Sequence, residues 1–130
     1  MEDNFYRVSV KGLIFNDEWK FLLCKEDNWV WELPWGGLDF WEDFEQWLIR
    51  EFMEEMWLTI IWIDTRPLCF FTWFENNKHK SNIIYNVEVE DVNFTKSDEC
   101  QEIWFFTKEE ALKLPLFPNV EKFLRYYYEI

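Results

Sequence analysis

Charged side chains between residues 42 and 55 have a spacing that suits metal-dependent chemistry. Glu54 and Glu55 follow Glu51 by three and four residues. At about 100° per residue, a helix places these three within about 100° of one another on one face. Like charges at this spacing destabilise a bare helix, whereas Mg2+ or Mn2+ would bind their oxygens. The alternative is a solvated acidic face, which is the commoner reason for a run of charges.

The residues around this acidic face predict a strand, a tight loop and a helix. An apolar segment leads to a turn that contains Pro34, Gly36 and Gly37. An amphipathic helix is predicted over residues 43–56, with acidic residues in its first turn that suit the helix dipole. Its apolar residues occupy a neighbouring arc that should face the core: Leu48, Ile49, Phe52, Met53 and Met56.

The spacing G-x5-E-x7-R-E-x-x-E-E resembles the signature of the Nudix hydrolases. The residues that carry this resemblance are Gly36, Glu42, Arg50, Glu51, Glu54 and Glu55. The resemblance spans essentially the whole chain in element order and implies one domain over residues 1–130. The implied fold is α/β, a Nudix-type α/β/α sandwich with a mixed β-sheet. The implied activity is hydrolysis of a diphosphate bond in a nucleoside diphosphate linked to another group, with Mg2+ or Mn2+ as cofactor.

The resemblance also implies a role for each matching residue. Glu54 and Glu55 match the metal-binding pair, and Glu51 matches a glutamate that binds metal or acts as general base. Arg50 matches the arginine that holds these glutamates in place. Glu42 matches an accessory metal ligand or orienting group. We therefore expect catalytic roles for Arg50, Glu51 and Glu54, and metal binding by Glu42 and by all three helix glutamates.

Two further parts of the site follow from the resemblance. The loop before the helix would contribute backbone groups from Trp35, Gly36 and Gly37, and a carbonyl near Trp35 or Gly36 often joins the metal shell in the family. A downstream carboxylate is also common among the metal ligands, and Glu102 or Glu99 is the candidate here.

Tryptophan occupies positions where the family pattern has small residues. The family usually has glycine at positions 35, 41 and 57 and a small residue at position 47, and Trp19 and Trp29 lie in turn contexts that favour glycine. The chain has ten tryptophans but only three glycines and a single alanine, Ala111. Ordinary usage would give about nine glycines in a chain of this length. We interpret the chain as an engineered Nudix domain.

Charge and cysteine content restrict the partners and the compartment. The net charge of −13 argues against duplex nucleic acid or an anionic membrane as partner, although a small nucleotide can bind through a metal ion. Cys24, Cys69 and Cys100 lack CxxC spacing, so we expect reduced thiols and a cytoplasmic protein. No apolar run is long enough for a membrane span. Exposed tryptophans favour self-association.

The rest of the chain reads as strands followed by short helices. Residues 5–15 alternate like a half-buried strand, with Arg7, Ser9 and Lys11 on the wet side. Further strands are predicted at residues 21–25, 31–33, 83–90 and 102–106, with a polar turn at 76–80. Two strands, or one broken strand, are predicted over residues 59–64 and 69–74. Thr107 and Glu110 form a capping-box pattern, and a terminal helix follows Pro118.

Two functions remain open on the sequence alone. The first is a metal-dependent nucleotide pyrophosphohydrolase, and the compact length favours MutT-like nucleoside triphosphate substrates over ADP-ribose. The second is an engineered scaffold that keeps the fold, with or without metal or nucleotide binding, and has weak or no turnover. The glutamates favour the first function and the tryptophans favour the second.

Overall fold

The computed structural model describes residues 5–37, 41–75 and 77–128. Three helices are described: α1 (Phe44–Met56), α2 (Lys108–Ala111) and α3 (Pro118–Tyr126). The strands, in chain order, are β1 (Arg7–Leu13), β2 (Phe21–Lys25), β3 (Trp31–Glu32), β4 (Trp35–Gly37), β5 (Ile60–Ile63), β6 (Cys69–Glu75), β7 (Lys78–Val89) and β8 (Glu102–Phe106).

The strands form two sheets, and the larger sheet is mixed. Its order is β4-β1-β7-β5, with β6 also paired to the long strand β7. The β1–β7 pair is parallel, while β4, β5 and β6 run antiparallel to their neighbours. The smaller sheet has the antiparallel order β3-β2-β8. This arrangement places β1 between β4 and β7, with β4 at one edge of the large sheet.

Apolar residues cover the sheets on both faces. In β2, Leu22 faces a core cluster that contains Leu48 and Phe52 of α1, whereas its neighbour Leu23 faces a second cluster that contains Phe123 of α3. Alternate residues of a strand point to opposite faces, so each face of the sheet has its own helical layer. The predicted α/β/α sandwich with a mixed sheet is confirmed.

The structure agrees with most of the predicted elements. Strands β2 and β8 have the predicted bounds, α1 begins one residue after the predicted start, and the predicted capping box at Thr107 is present. The predicted turn at 76–80 is wrong for residues 78–80, which belong to β7, and residue 76 lies outside the described part of the chain. Residues 35–37 form a short strand instead of a turn because they pair with β1.

The predicted exposure of three residues is wrong. Ser9 and Lys11 were expected on a wet face of β1, but both are buried, because β1 lies between β4 and β7 under a helical layer on each side. On α1, Ile49 was expected in the core and is 48% exposed, whereas Trp47 takes a core position and is 1% exposed. The apolar arc of α1 is therefore rotated toward Trp47.

Among the helices described, none has the length and apolar character needed to cross a membrane.

Candidate active site

Local sequence fixes both ends of the helix that carries the acidic residues. Asp43 caps the N-terminus of α1, since its carboxylate accepts from the backbone N–H of Gln46, and the Gln46 side chain accepts from the backbone N–H of Asp43. Trp57 ends the helix in the left-handed conformation, with φ 60° and ψ 31°, and its N–H donates to the carbonyl of Met53. Both ends of α1 are therefore fixed, and with them the positions of its glutamates along the helix axis.

Arg50 holds three glutamates at once. Its Nε and Nη2 donate to the two carboxylate oxygens of Glu42, at 2.9 and 2.6 Å. Its Nη1 donates to Glu51 Oε1 at 2.9 Å and to Glu54 Oε2 at 3.1 Å. The guanidinium lowers the pKa of the Glu42 carboxyl through these hydrogen bonds. Glu42 precedes α1, so Arg50 ties the end of the preceding loop to the acidic face of the helix.

Three carboxylates converge beside this arginine. One oxygen each from Glu51, Glu55 and Glu99 lie within 4.8 Å of one another. Burial, together with hydrogen bonds and repulsion from Glu99 and Glu51, raises the pKa of Glu55 to about 10. A carboxyl that keeps its proton because it is buried beside two carboxylates would release that proton when a cation binds.

The other predicted carboxylates lie outside this group. The Glu54 side chain is 58% exposed, and its described contact is the ion pair with Arg50. Glu102, on β8, pairs with Lys25 at 2.6 Å. Of the two candidates for the downstream carboxylate, the structure brings Glu99 to the helix glutamates, whereas Glu102 faces a lysine.

Strand β4 approaches helix α1 closely. Gly36 pairs with Val10 of β1, and its α-carbon lies against the indole of Trp47. The Trp47 side chain therefore lies against β4, and it also belongs to the same core cluster as Leu48.

A cavity of about 450 Å³ opens in front of the carboxylates. Its walls include Gly36, Trp47, Glu51, Glu55 and Glu99, so the loop and the helix face the same space. Further acidic groups line it: Glu26, Asp27, Glu32 and Asp98. Arg7, at the start of β1, is a cation on this otherwise acidic wall. The cavity has room for a small phosphorylated molecule together with a cation.

A second, smaller cavity of about 80 Å³ adjoins the first through Glu32, which lines both. Lys11 Nζ lies 3.2 Å from Glu32 Oε1, and both side chains are buried. Burial lowers the pKa of Lys11 and raises that of Glu32, and the ion pair between them opposes both shifts. In the same cavity, Asn82 is 1% exposed, and among the described residues neither polar atom of its side chain has a hydrogen-bond partner.

Four tryptophans have left-handed backbones. Their φ values are 60° for Trp19, 67° for Trp29, 80° for Trp41 and 60° for Trp57. The sequence predicted glycine-like positions at all four. The side chain of Trp57 is largely exposed, at 66%.

Comparison with known proteins agrees with this geometry. A sequence model described as the NUDIX domain matches residues 5–127, which is nearly the whole chain. The chain belongs to the Nudix family. The spacing that runs from Gly36 through Glu42 to Glu55 is the signature of that family. Residues 36–55 are called the Nudix box below. No sequence among curated proteins matches this chain.

Solved structures of Nudix proteins share the fold at low sequence identity. A MutT protein from Methanosarcina mazei Go1 superposes with a TM-score of 0.82 at 21% identity, over 98% of this chain and 96% of that one. A MutT Nudix hydrolase from Burkholderia pseudomallei gives 0.77 at 22% identity, covering 93% and 97%. The Nudix domain of Shewanella oneidensis NrtR, complexed with ADP ribose, gives 0.75 at 18% identity, covering 94% and 86%.

Nudix hydrolases generally use divalent metal ions, and the carboxylates of this chain fit such an ion. Glu51, Glu55 and Glu99 present hard oxygen donors within the span of one coordination shell. Burial first, and then the neighbouring carboxylates, raise the pKa of Glu55, and a bound dication would favour the ionised form of all three carboxyls. The donor set therefore suits Mg2+ or Mn2+.

Sequence reasoning missed several residues of the two cavities. Arg7 and Asp98 carry no pattern that marks them, because their approach to the Nudix box depends on long-range strand pairing. Glu32 gave a weak signal as a charged residue in an apolar strand next to Pro34. Nothing near Asn82 in the sequence distinguishes it from the other polar residues of its strand.

Proposed function

We propose that this protein is a metal-dependent hydrolase of nucleoside diphosphate-linked substrates, a MutT-like nucleotide pyrophosphohydrolase. The observation that carries the proposal is the convergence of Glu51 and Glu55, on the Nudix box helix, with Glu99, in the irregular segment before β8. These three carboxylates, with Glu54 and Glu42 in support as the family pattern implies, would hold Mg2+ or Mn2+. When bound, such an ion shields the phosphate charge and makes a water molecule a better nucleophile.

The residues of the chain supply position and proton transfer. Hydrolysis joins a water oxygen to one phosphorus of the diphosphate, breaks the bond from that phosphorus to the bridging oxygen, and releases a proton. Two carboxylates of α1, Glu51 and Glu54, lie beside Arg50 and are the candidates for accepting that proton. Arg50 is a positioning residue, since it contacts these glutamates and fixes their direction.

The two adjoining cavities support a nucleotide as the substrate. The larger cavity holds the carboxylates and Arg7, which can donate to a phosphate oxygen. The smaller cavity offers the unpaired amide of Asn82, which has one donor and one acceptor group, as a nucleobase edge requires. The small cavity has less volume than a base, so it would receive the polar edge alone. Diphosphate and base would then lie on either side of Glu32.

A second function has one observation in its favour. The Trp47 indole is buried in the wall of the acidic cavity at a position where the family has a small residue. A ring there reduces the space for a diphosphate, so the chain would bind metal and keep the fold with weak turnover. Trp47 is the residue on which these two functions differ.

One assay separates the two functions. Phosphate or pyrophosphate release is measured on a panel of deoxynucleoside triphosphates, ADP-ribose and dinucleoside polyphosphates, with and without Mg2+ or Mn2+. Turnover that requires the ion and is lost in Glu55→Gln supports the hydrolase. Ion binding without turnover on any substrate supports the scaffold.

A further inference from the structure

The left-handed tryptophans have a backbone that does not suit them. A side chain with a β-carbon is disfavoured at positive φ, and bulky residues are genuine outliers there, whereas glycine enters this region freely. In the described part of the chain, the other non-glycine residue at positive φ is Asn77, a type that tolerates it, and no described glycine has positive φ. Tryptophan thus takes the role that glycine takes in other proteins.

The surrounding chain demands a left-handed residue at these positions. Trp19 and Trp29 close tight turns, in which their backbone N–H groups donate to Asn16 and Glu26 at 3.0 Å. Trp57 closes the C-terminus of α1 by donating to Met53. A turn or helix end of this kind needs φ near +60° whichever residue occupies it, so the geometry belongs to the fold and not to the indoles.

The contacts of these indole rings offset little of the backbone strain. Trp19 and Trp29 are each 70% exposed, Trp57 is 66% exposed and Trp41 is fully exposed. Trp29 has Lys25 Nζ at 4.5 Å from its ring, and the ring of Trp19 lies 5.8 Å from that of Phe15. Burial of an aromatic ring is its main source of stabilisation, and each of these four residues leaves about two thirds or more of its surface exposed.

Other tryptophans of the chain behave differently. Trp31 lies in β3, is 7% exposed, and makes an edge contact with Phe106 at 5.1 Å. Trp104 lies in β8, paired with Leu23, and is absent from the positive-φ residues. Apart from Trp47, which lies in α1, the tryptophans named here form two classes: residues in extended strands, and residues with the left-handed backbone that favours glycine.

We propose that residues 19, 29, 41 and 57 are glycine when the source organism translates the gene. A single codon, read as tryptophan in this sequence, would encode all four residues. The codon UGA lies one base from the tryptophan codon UGG and one base from the glycine codon GGA, and it is read as tryptophan in some genetic codes and as glycine in others. A chain translated in the wrong one of these codes carries tryptophan wherever UGA encodes glycine. This explains the four positions together with the scarcity of glycine, three residues in 130.

The proposal bears on the Nudix box. Position 41 immediately precedes Glu42, the partner of Arg50, and position 57 ends the helix that carries Glu51 and Glu55. Glycine at both positions would relieve strain at the two ends of the acidic segment. We expect the form with glycine at these positions to be more stable and to turn over substrate faster. Only the expectation about turnover rests on the proposed function.

The coding sequence gives the first test. We expect UGA at codons 19, 29, 41 and 57, and UGG at codon 31, where the fold needs a buried ring. UGG at the four left-handed positions would overturn the proposal and leave deliberate substitution as the origin of the tryptophans.

Thermal unfolding gives the second test, and it is independent of enzymatic activity. Each of Trp19→Gly, Trp29→Gly, Trp41→Gly and Trp57→Gly should raise Tm by about 3–8 °C, because it removes left-handed strain without removing a buried ring. The variant with all four changes should gain roughly the sum, since the sites are separate.

Matched controls isolate the strain. Trp57→Ala removes the same ring but keeps a β-carbon at positive φ, so its Tm should stay well below that of Trp57→Gly. Trp31→Gly, at a packed strand position, should lower Tm. If the four-glycine variant melts no higher than the parent, or if alanine and glycine at position 57 melt alike, the assignment of glycine geometry is overturned.

Discussion

The indole of Trp47 occupies the space into which a side chain at Gly36 would project. A β-carbon built on Gly36 would lie 1.8 Å from Cη2 and 1.9 Å from Cζ2 of Trp47, distances at which atoms overlap. Trp47 is 1% exposed, so the ring cannot move aside without displacing the core. The Trp47 ring therefore fits in α1 only because residue 36 of β4 is glycine. Both residues line the acidic cavity.

This contact predicts strong coupling between the two positions. Gly36→Ala should destabilise the protein by about 1–3 kcal/mol through overpacking. Trp47→Ala should cost about 3–5 kcal/mol through the cavity that it leaves. In the double variant, the alanine at 36 should fit into the vacated space, so the total loss should be smaller than the sum. Denaturant titration of the four proteins measures this, and additive losses would show that the ring and the loop are not in contact.

Removing the Trp47 ring should also change activity. Trp47→Ala enlarges the acidic cavity beside Glu51, so we expect a higher kcat or a lower KM for a nucleotide substrate in spite of the lost stability. Leu48→Ala is the matched control, because Leu48 is a buried α1 residue that does not line the cavity. Both variants should lose stability, but only Trp47→Ala should gain turnover. Unchanged turnover and nucleotide affinity in Trp47→Ala would refute the idea that the ring obstructs the site.

Periodicity and capping made α1 predictable, whereas contacts distant in sequence did not. The helix has an apolar stripe, an N-cap at Asp43 and an abrupt end, all of which are local signals. The burial of Lys11 follows from its position between paired strands and from Glu32, 21 residues away. The choice between Glu99 and Glu102 depends on the path of an irregular segment, and no sequence period describes such a path.

Metal linkage should distinguish Glu99 from Glu102. An ion that binds only the folded protein stabilises it by about 2.7 kcal/mol at a hundredfold excess over Kd. Millimolar Mg2+ or Mn2+ should therefore raise the Tm of the parent, and Glu55→Gln together with Glu54→Gln should abolish that rise. Glu99→Gln should reduce the rise, and Glu102→Gln should leave it intact because Glu102 pairs with Lys25. An unchanged parent Tm would reject the metal site, and a larger effect of Glu102→Gln would reject Glu99 as a ligand.

The raised pKa of Glu55 predicts a pH dependence of the metal-free protein. The pKa of this carboxyl is raised from 4.5 to about 10, so the folded protein keeps a proton that the unfolded chain releases. Its stabilising contribution is fully present below about pH 4.5 and is lost as the pH rises toward 10. Glu55→Gln stays neutral at every pH, so its unfolding free energy should fall less over this range, as measured by denaturant titration at several pH values.

Metal binding should release the proton that Glu55 keeps in the metal-free protein. A cation needs the ionised carboxylate, so binding near neutral pH should release a proton from Glu55, and the affinity should increase with pH. Calorimetric titration of Mn2+ in buffers of different ionisation enthalpy counts the protons released. Glu55→Gln should release fewer protons than the parent, and equal release from both proteins would assign the proton to another group.

Arg50 should act by orienting carboxylates and not by its charge alone. Its fork donates to both oxygens of Glu42 while its other nitrogen reaches Glu51 and Glu54, a geometry that a lysine ammonium cannot reproduce. Arg50→Lys keeps the charge but should lower kcat or metal affinity by about 10–100-fold, the usual effect of losing a residue that orients metal ligands. Because Arg50 and Glu42 act through the same hydrogen bonds, adding Glu42→Gln to Arg50→Lys should reduce activity little further.

Arg125→Lys is the control, since Arg125 forms an ordinary i,i+4 pair with Glu121 on α3, and this change should leave activity unchanged. If Arg50→Lys and Arg125→Lys behave alike in metal titrations and steady-state kinetics, Arg50 contributes only charge, and the orientation of the acidic face must come from the helix itself.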